Sequence, residues 1–294
     1  MANLKEIRIR INSVRTTRQV TSAMKMVSAA KLNKAQADVE HVRPFAAKLM
    51  QIVSFLGNSI DGIQESYAGF RISQKGKVLL VPIASNKGLA GAFSSNVLKE
   101  TDRIVRTEYA EDFERGNVDI IAIGKQVSKG LNSRGLKLTG DHNDLYDDMS
   151  LSNVYAIADQ LMAAFESGEY REVRLIYNEF VNKSVQRLTS SQLLPLSLDK
   201  AEGGSDKQLD FIIEPNKEEV LEALIPQAIH TSLYAAIVNS IASEHSARMT
   251  AMSKATDNAS ELLRELQLQY NKARQGAITN ELIEIVSGAE ALKN

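Results

Sequence analysis

Apolar residues recur every three or four positions at both ends of the chain and fall into short unbroken runs in its middle. Near the start, Leu4, Ile7, Ile11 and Val14 keep this spacing, and after a polar stretch it resumes at Leu32, Ala35, Val39, Val42, Ala46, Leu49, Val53 and Leu56. Steps that alternate three and four describe a helix with one apolar seam. They predict a helix over residues 1–58, bent at Pro44, which has no amide hydrogen to donate, and stopped by Gly57-Asn58.

Residues 76–200 change period. Lys77–Ala84 and Val118–Gly124 are β-branched runs, each followed by a helical pattern, over 92–115 and 125–133. Strand–helix–strand order implies a parallel sheet. A further helix over 151–167 leads to Val173–Asn182 and Val185–Leu196, which flank Lys183-Ser184 as a hairpin would. Asp199–Lys207 reads as a polar loop.

The longest pattern covers residues 210–294. Steps of three and four run through Leu221, Leu224, Ala228, Thr231, Ala235, Val238, Ala242, His245, Met249, Met252, Thr256, Ala259, Leu263, Leu266, Tyr270, Ala273 and Ala277, with only Thr231, His245 and Thr256 polar. Glu214, Glu218, Glu219 and Glu222 suit the positive end of a helix dipole, and Pro226 is expected to bend the rod. After Ala277 the seam slips by one residue to Ile278, Leu282, Ile285 and Ala289, which changes the supercoil locally. About 80 residues at about 1.5 Å each reach about 120 Å, against about 85 Å for the N-terminal helix. The predicted fold is α/β: a long antiparallel coiled coil of the N- and C-terminal helices plus a central Rossmann-like α/β domain. Beyond its shorter partner the C-terminal helix stands as a lone rod or enters a partner, and Gly276, Ala277, Ile278, Leu282 and Ile285 are too apolar for a bare rod in water.

Composition narrows the chemistry. With no cysteine among 294 residues there is no disulfide, thiolate nucleophile or cysteine-ligated metal. A net charge of −1 argues against a generic nucleic-acid binder. No run of about 18 apolar residues stands out, so no membrane span is expected. The near-zero total conceals a division. Residues 1–34 carry Lys5, Arg8, Arg10, Arg15, Arg18, Lys25, Lys31 and Lys34 against Glu6 alone. Such a start fits a mitochondrial transit peptide, a solvated helix face, or a helix meeting an acidic partner. The apolar pattern runs unbroken past residue 50, which argues against the first.

Few residues suggest catalysis. The loop Ser85–Phe93 follows the first strand and opens a helix, so it is a strand-to-helix turn, a phosphate cradle or a protein contact. It matches neither the Walker nor the GxGxxG pattern. Asp141-His142-Asn143-Asp144 with Asp147 and Asp148 lacks the glycine and terminal glutamate of a calcium loop. The histidines are scattered, and none pairs with a serine and a carboxylate in a familiar context. The stretch Tyr270–Leu282 crowds charged and hydrogen-bonding groups between apolar positions, as an ordinary polar face or a gripped surface would.

These end segments resemble the gamma subunits of bacterial rotary (F-type) ATP synthases. The similarity rests on Ile11-Asn12-Ser13-Val14, Thr21–Leu32, Glu244–Met252, Ala255–Ala259 and Asn271–Glu284. The loop Ser85–Phe93 is similar to the family's SDRGLCG-like loop, with Asn86, Lys87 and Ala90 in place of Asp, Arg and Cys. The resemblance implies a central-stalk rotor coupling ion-driven rotation of a membrane c ring to ATP synthesis, and hydrolysis in reverse, at a hexamer of alpha and beta subunits. It implies no catalytic residue and no cofactor or metal. The partners would be the alpha, beta and epsilon subunits and the c ring, with no nucleic acid. The chain would lie at the cytoplasmic face of the bacterial cell membrane, reaching it only through the complex. By motif, Arg274 and Gln275 match a pair touching a catch loop of beta, and Thr279, Glu281 and Glu284 match neighbouring rotor contacts. Met24 and Lys25 match positions near the lower rim of the hexamer. Asp210–Pro215 resembles a segment facing the c ring or epsilon, which places Phe211, Ile213 and Glu214 there. Two other classes stay open: a stand-alone coiled-coil scaffold, which would dimerise through its own seam, and a nucleotide-binding α/β protein.

Overall fold

The computed structural model describes residues 4–146, 149–198 and 212–291. The chain forms two compact units, one of Met1–Ala29 with Arg248–Asn294 and one of Ala30–Ala247. The division crosses both long helices, α1 (Leu4–Asn58) and α7 (Lys217–Ala291). Both are continuous, with Pro44 and Pro226 inside them.

The larger unit is built on a five-stranded mixed sheet. Its strands are β1 (Lys77–Pro82), β2 (Val118–Ala122), β3 (Gly140–Asp141), β4 (Tyr170–Phe180) and β5 (Gln186–Leu194), in the order β3-β2-β1-β4-β5. All neighbours are parallel except β4 and β5, which form the expected antiparallel hairpin. Around the sheet lie α2 (Ile63–Ser66), α3 (Phe93–Thr107), α4 (Ala110–Glu114), α5 (Lys125–Ser133) and α6 (Leu151–Glu166).

Period two along β1 sends its side chains into two cores. Val78 and Leu80 pack with Val97, Ile104, Val127 and Leu131 from α3 and α5. Leu79 and Val81 pack with Val154 and Leu161 of α6, Leu49 and Val53 of α1, and Leu221, Ile229 and Leu233 of α7. Coverage on both faces explains why β1 reads as an unbroken apolar run.

The structure departs from the expected pattern in several places. The helix expected over 92–115 breaks into α3 and α4, because Tyr109 turns inward, 8% exposed, under the Arg174 guanidinium 5.5 Å from its ring centre. The two-residue strand β3 is too short to leave a period in the sequence. At the start of α7, Asn216 rather than Glu214 sets the boundary. Its Oδ1 accepts from the Glu219 amide at 2.8 Å while its Nδ2 donates to the Glu219 carboxylate at 2.6 Å, a reciprocal cap. α7 is also buried on more than its seam: Ile229, Leu233, Ala236, Ile237, Ser240 and Ser243 are all inside the larger unit. By length and composition α7 does hold one stretch apolar enough to cross a membrane, contrary to the expectation from the sequence. Its Ile229, Leu233, Ala236 and Ile237 belong to the core shared with the sheet.

Arg171 of β4 grips Asp112 of α4 with two bonds, 3.0 and 2.7 Å. That guanidinium holds the Asp112 carboxyl below the usual carboxylate range. A carboxyl depressed in the folded state adds stability above its unfolded pKa and loses it as pH falls through the folded value. Asp112→Asn is therefore expected to cost about 1–2 kcal/mol near neutrality, with the gap to wild type closing in acid. Urea titrations at both pH values check this, and a pH-independent gap would contradict it.

Candidate functional site

In the smaller unit the ends of α1 and α7 pair antiparallel, since partners descend α7 as they ascend α1. Arg8 donates to the Tyr270 hydroxyl at 2.8 Å, Thr256 to Thr21 at 2.8 Å, and Lys25 to Ser253 at 3.0 Å. Ile7, Ile11 and Leu266 are buried between the helices, with Val14, Leu263, Tyr270 and Ala273 against them. The Arg8 guanidinium also lies 5.7 Å from the Tyr270 ring centre, a favourable cation–π placement. Thr256 is one of the polar seam positions, and its bond to Thr21 satisfies both hydroxyls where a buried orphan would be costly.

Among the described residues, pairing stops at Ala273. From Arg274 to Ala289 every residue of α7 is exposed, including Ile278, Leu282, Ile283, Ile285 and Val286. Helical geometry sorts this segment into two neighbouring stripes. Arg274, Ile278, Glu281 and Ile285 share one; Gln275, Thr279, Leu282 and Val286 share the next. The structure thus brings the expected site residues Arg274, Gln275, Thr279 and Glu281 onto one surface interleaved with apolar side chains, and Glu284 lies to its side. Thr279 donates to the Gln275 carbonyl at 2.9 Å, a bond within the helix. Among the described residues no ion pair engages Arg274, Glu281 or Glu284. Charge and apolar area thus interleave on one exposed face, a mixture that large exposed patches at protein–protein interfaces share.

The other expected residues lie elsewhere. Met24 is half-buried in the helix pair and Lys25 exposed beside it. In the larger unit, Ile213 is half-buried against the core and Glu214 is exposed, next to a cis bond to Pro215. Phe211 lies outside the described residues, as do Asp147, Asp148 and the Asp199–Lys207 loop.

The turn Ser85–Phe93 is occupied by its own bonds. The Ser85 hydroxyl donates to the Lys87 carbonyl at 2.8 Å and lies 2.9 Å from the Ser94 hydroxyl. Asn86 donates to the Asn143 carbonyl and accepts from the Lys125 amide, both at 2.9 Å. Open α/β sheets bind ligands outside the carboxyl ends of their strands. Here α7 closes over the end of β1, with the Ser240 hydroxyl donating to the Ile83 carbonyl at 3.5 Å and Ile83, Ala84 and Ser85 fully buried. The acidic loop turns inward on itself: Asn143 donates to Asp141 at 2.7 Å, and burial lowers the pKa of His142. Among the described residues no three histidines or carboxylates gather as metal ligands.

Two long-range ties escape the sequence. One is Arg8 with Tyr270. The other is Arg43, which donates to the Phe180 carbonyl at 2.6 Å and to Asn239 at 2.9 Å, joining α1, β4 and α7. For the first a signal existed, since Tyr270 lies on the seam and Arg8 adjoins Ile7; for the second there was none.

Comparison with known proteins follows from this geometry. A family model described as ATP synthase matches residues 3–292. The ATP synthase gamma chain of Flavobacterium johnsoniae is 51% identical over 293 residues, covering 99% of each chain. That of Geobacter metallireducens is 41% identical over 293 residues, covering 100% of each. Among solved structures, a chain of the central stalk/c-ring of Tetrahymena thermophila mitochondrial ATP synthase aligns with a TM-score of 0.57 at 31% identity, covering 80% of this chain and 99% of that one. A chain of the OSCP/F1/c-ring assembly of Euglena gracilis mitochondrial ATP synthase aligns with a TM-score of 0.65 at 20% identity, covering 98% and 94%, a likeness of fold.

Proposed function

The chain belongs to the ATP synthase gamma family, and on that premise we propose that it works as the central-stalk rotor, with the bare end of α7 as its working surface. The observation that carries this reading is the stretch beyond Ala273, where Ile278, Leu282, Ile283, Ile285 and Val286 are between 49% and 62% exposed beside Arg274 and Gln275. Such a surface is stabilised by enclosure, and a hexamer of alpha and beta subunits provides it. Arg274 and Gln275 hold a beta subunit there, while Thr279, Glu281 and Glu284 make neighbouring polar contacts.

A single helix inside a threefold ring cannot present the same face to three sites. Each beta subunit meets a different part of the two stripes, and each conformation is favoured by the contacts it makes. Turning the stalk moves those preferences round the ring. Met24 and Lys25 lie on the helix pair at the rim of the hexamer, and the basic start of α1 faces acidic groups there. The segment with Phe211, Ile213 and Glu214 serves the foot, towards the epsilon subunit and the c ring. The chain sits at the cytoplasmic face of the bacterial membrane through the complex. It contributes no group to phosphoryl transfer; its part is to bias conformations.

Co-assembly tests this reading. Mixed with alpha and beta subunits, the chain is expected to enter at one copy per hexamer, measured by mass. A chain that stays apart, or pairs with itself instead, would contradict it.

A further inference from the structure

Within the larger unit a cleft of about 380 Å³ opens between α1 and the tip of the β4–β5 hairpin. Its floor is apolar: Val39 is 3% and Phe180 5% exposed, and Pro44 and Val181 extend the lining. Its rim carries donors that the fold leaves unused. Arg43 uses Nη2 for the Phe180 carbonyl and Asn239, which fixes the guanidinium. Among the described residues, no acceptor within the protein meets its Nε or Nη1, the Asn182 Nδ2 or the Lys183 ammonium. The hairpin tip is held through other atoms. The Lys183 carbonyl accepts from the Ser246 hydroxyl at 2.7 Å, and the Asn182 Oδ1 accepts from the amides of Ser184 and Val185, each at 2.9 Å. Two carboxylates lie near. Glu179 is 3.8 Å from Arg43, but Arg187 grips it at 2.6 and 3.0 Å. Glu40 lines the cleft and accepts from Gln36 at 2.8 Å.

We propose that this cleft binds a small amphipathic monocarboxylate, with the carboxylate between Arg43 and Lys183 and the hydrocarbon body on Val39, Pro44 and Phe180. The size suits such a ligand, since small-molecule sites begin at about 300 Å³. A guanidinium with a free edge takes a carboxylate through two parallel bonds. Because Nη2 is already tied down, little freedom is lost when the remaining nitrogens engage. The apolar floor then favours a hydrocarbon body over a bare inorganic anion. Glu40 limits the charge that fits: two cations offset it and one further carboxylate, whereas a nucleoside triphosphate would meet its repulsion. A bound carboxylate would join α1 to the hairpin beside the tie that Arg43 makes. Such a site is independent of any rotor role.

Decanoate is the probe, titrated calorimetrically into the full-length chain. It is expected to fill one site with a Kd of about 0.1–1 mM. Decanol, which lacks the charge, and acetate, which lacks the chain, should each bind about tenfold more weakly. Lys183→Glu sets a repelling charge at the rim and should weaken decanoate about tenfold, while Lys183→Arg keeps both charge and affinity. The Lys183 side chain is exposed and its bond to Ser246 uses the carbonyl, so neither variant is expected to shift the melting temperature. Equal binding of decanol, or decanoate binding that Lys183→Glu leaves unchanged, would put the ligand on another apolar surface, such as the bare end of α7, and overturn the proposal. Attachment to phosphatidylglycerol vesicles that depends on Lys183, without saturable decanoate binding, would give the cleft to a membrane surface and overturn it as well.

Discussion

Replacing Arg274 and Gln275 together by alanine is expected to lower ATP hydrolysis by the assembled complex about tenfold and to weaken its torque, while the chain keeps its fold. Both side chains are exposed on α7 one step past the last residue packed against α1. Alanine is the best helix former, so the rod itself loses nothing. On the rotor reading proposed above, what is lost is one charge-assisted and one neutral hydrogen bond to the partner, together about 2.5–4 kcal/mol. A shift of that size in the balance between two conformations is about two orders of magnitude. Turnover samples only part of that balance, because other steps share control of the rate. Rotation and hydrolysis of the reconstituted complex measure the effect, and thermal melting checks that the fold is intact. Lys272→Ala, on another face of the same turn, is the control and should change neither. Normal rotation with the double variant would remove Arg274 and Gln275 from the working surface.

Much of the architecture was legible because packing leaves a period. The seam of α7 is written in steps of three and four, and its buried members Leu221, Ala228, Val238, Ala242, Met252, Ala259 and Leu266 lie where those steps fall. β1 announced itself as a β-branched run of a parallel sheet, and its cover on both faces came with the structure. A period reports only one face at a time, however. Leu233, Ala236 and Ile237 are buried because α7 shares a core with both α1 and the sheet, and a heptad cannot express a second neighbour. The break between α3 and α4 depends on Tyr109 meeting Arg174, a contact between residues far apart in sequence.

The exposed end of α7, proposed above as the working surface, followed the same logic. Ile278, Leu282 and Ile285 stood out because apolar residues continue after their helical partner has run out, which is information about a missing neighbour. The tie by Arg43 was invisible, since it joins residues more than a hundred positions apart and carries no local motif.

The largest stability effect is expected at Gly124, at the C-terminal end of β2. It has φ 112°, and a Cβ there would stand 1.9 Å from the Ala84 carbonyl oxygen and 2.7 Å from its carbon. Neither side can yield cheaply. Ala84 is buried, with its amide bonded to the Ile123 carbonyl at 2.9 Å. The Gly124 carbonyl accepts from the Ser128 amide at 3.1 Å, fixing the first turn of α5. Gly124→Ala must therefore part β1 from β2 at the edge where the Ser85 turn begins. Backbone strain and overpacking together give a cost of about 4 kcal/mol, a fall in melting temperature of about 10 °C for a unit of this size. Gly116 separates clash from conformation. It too has positive φ, 73°, but a Cβ there meets nothing within 4 Å. Gly116→Ala should cost only about 1 kcal/mol. Equal losses at the two positions would mean that the approach of β1 to β2 at Ala84 is looser than the structure has it. A several-fold larger loss at Gly124 would mean that glycine is required there by a neighbour's backbone rather than by its own dihedral angle. The Ser85 turn would then depend on that close approach.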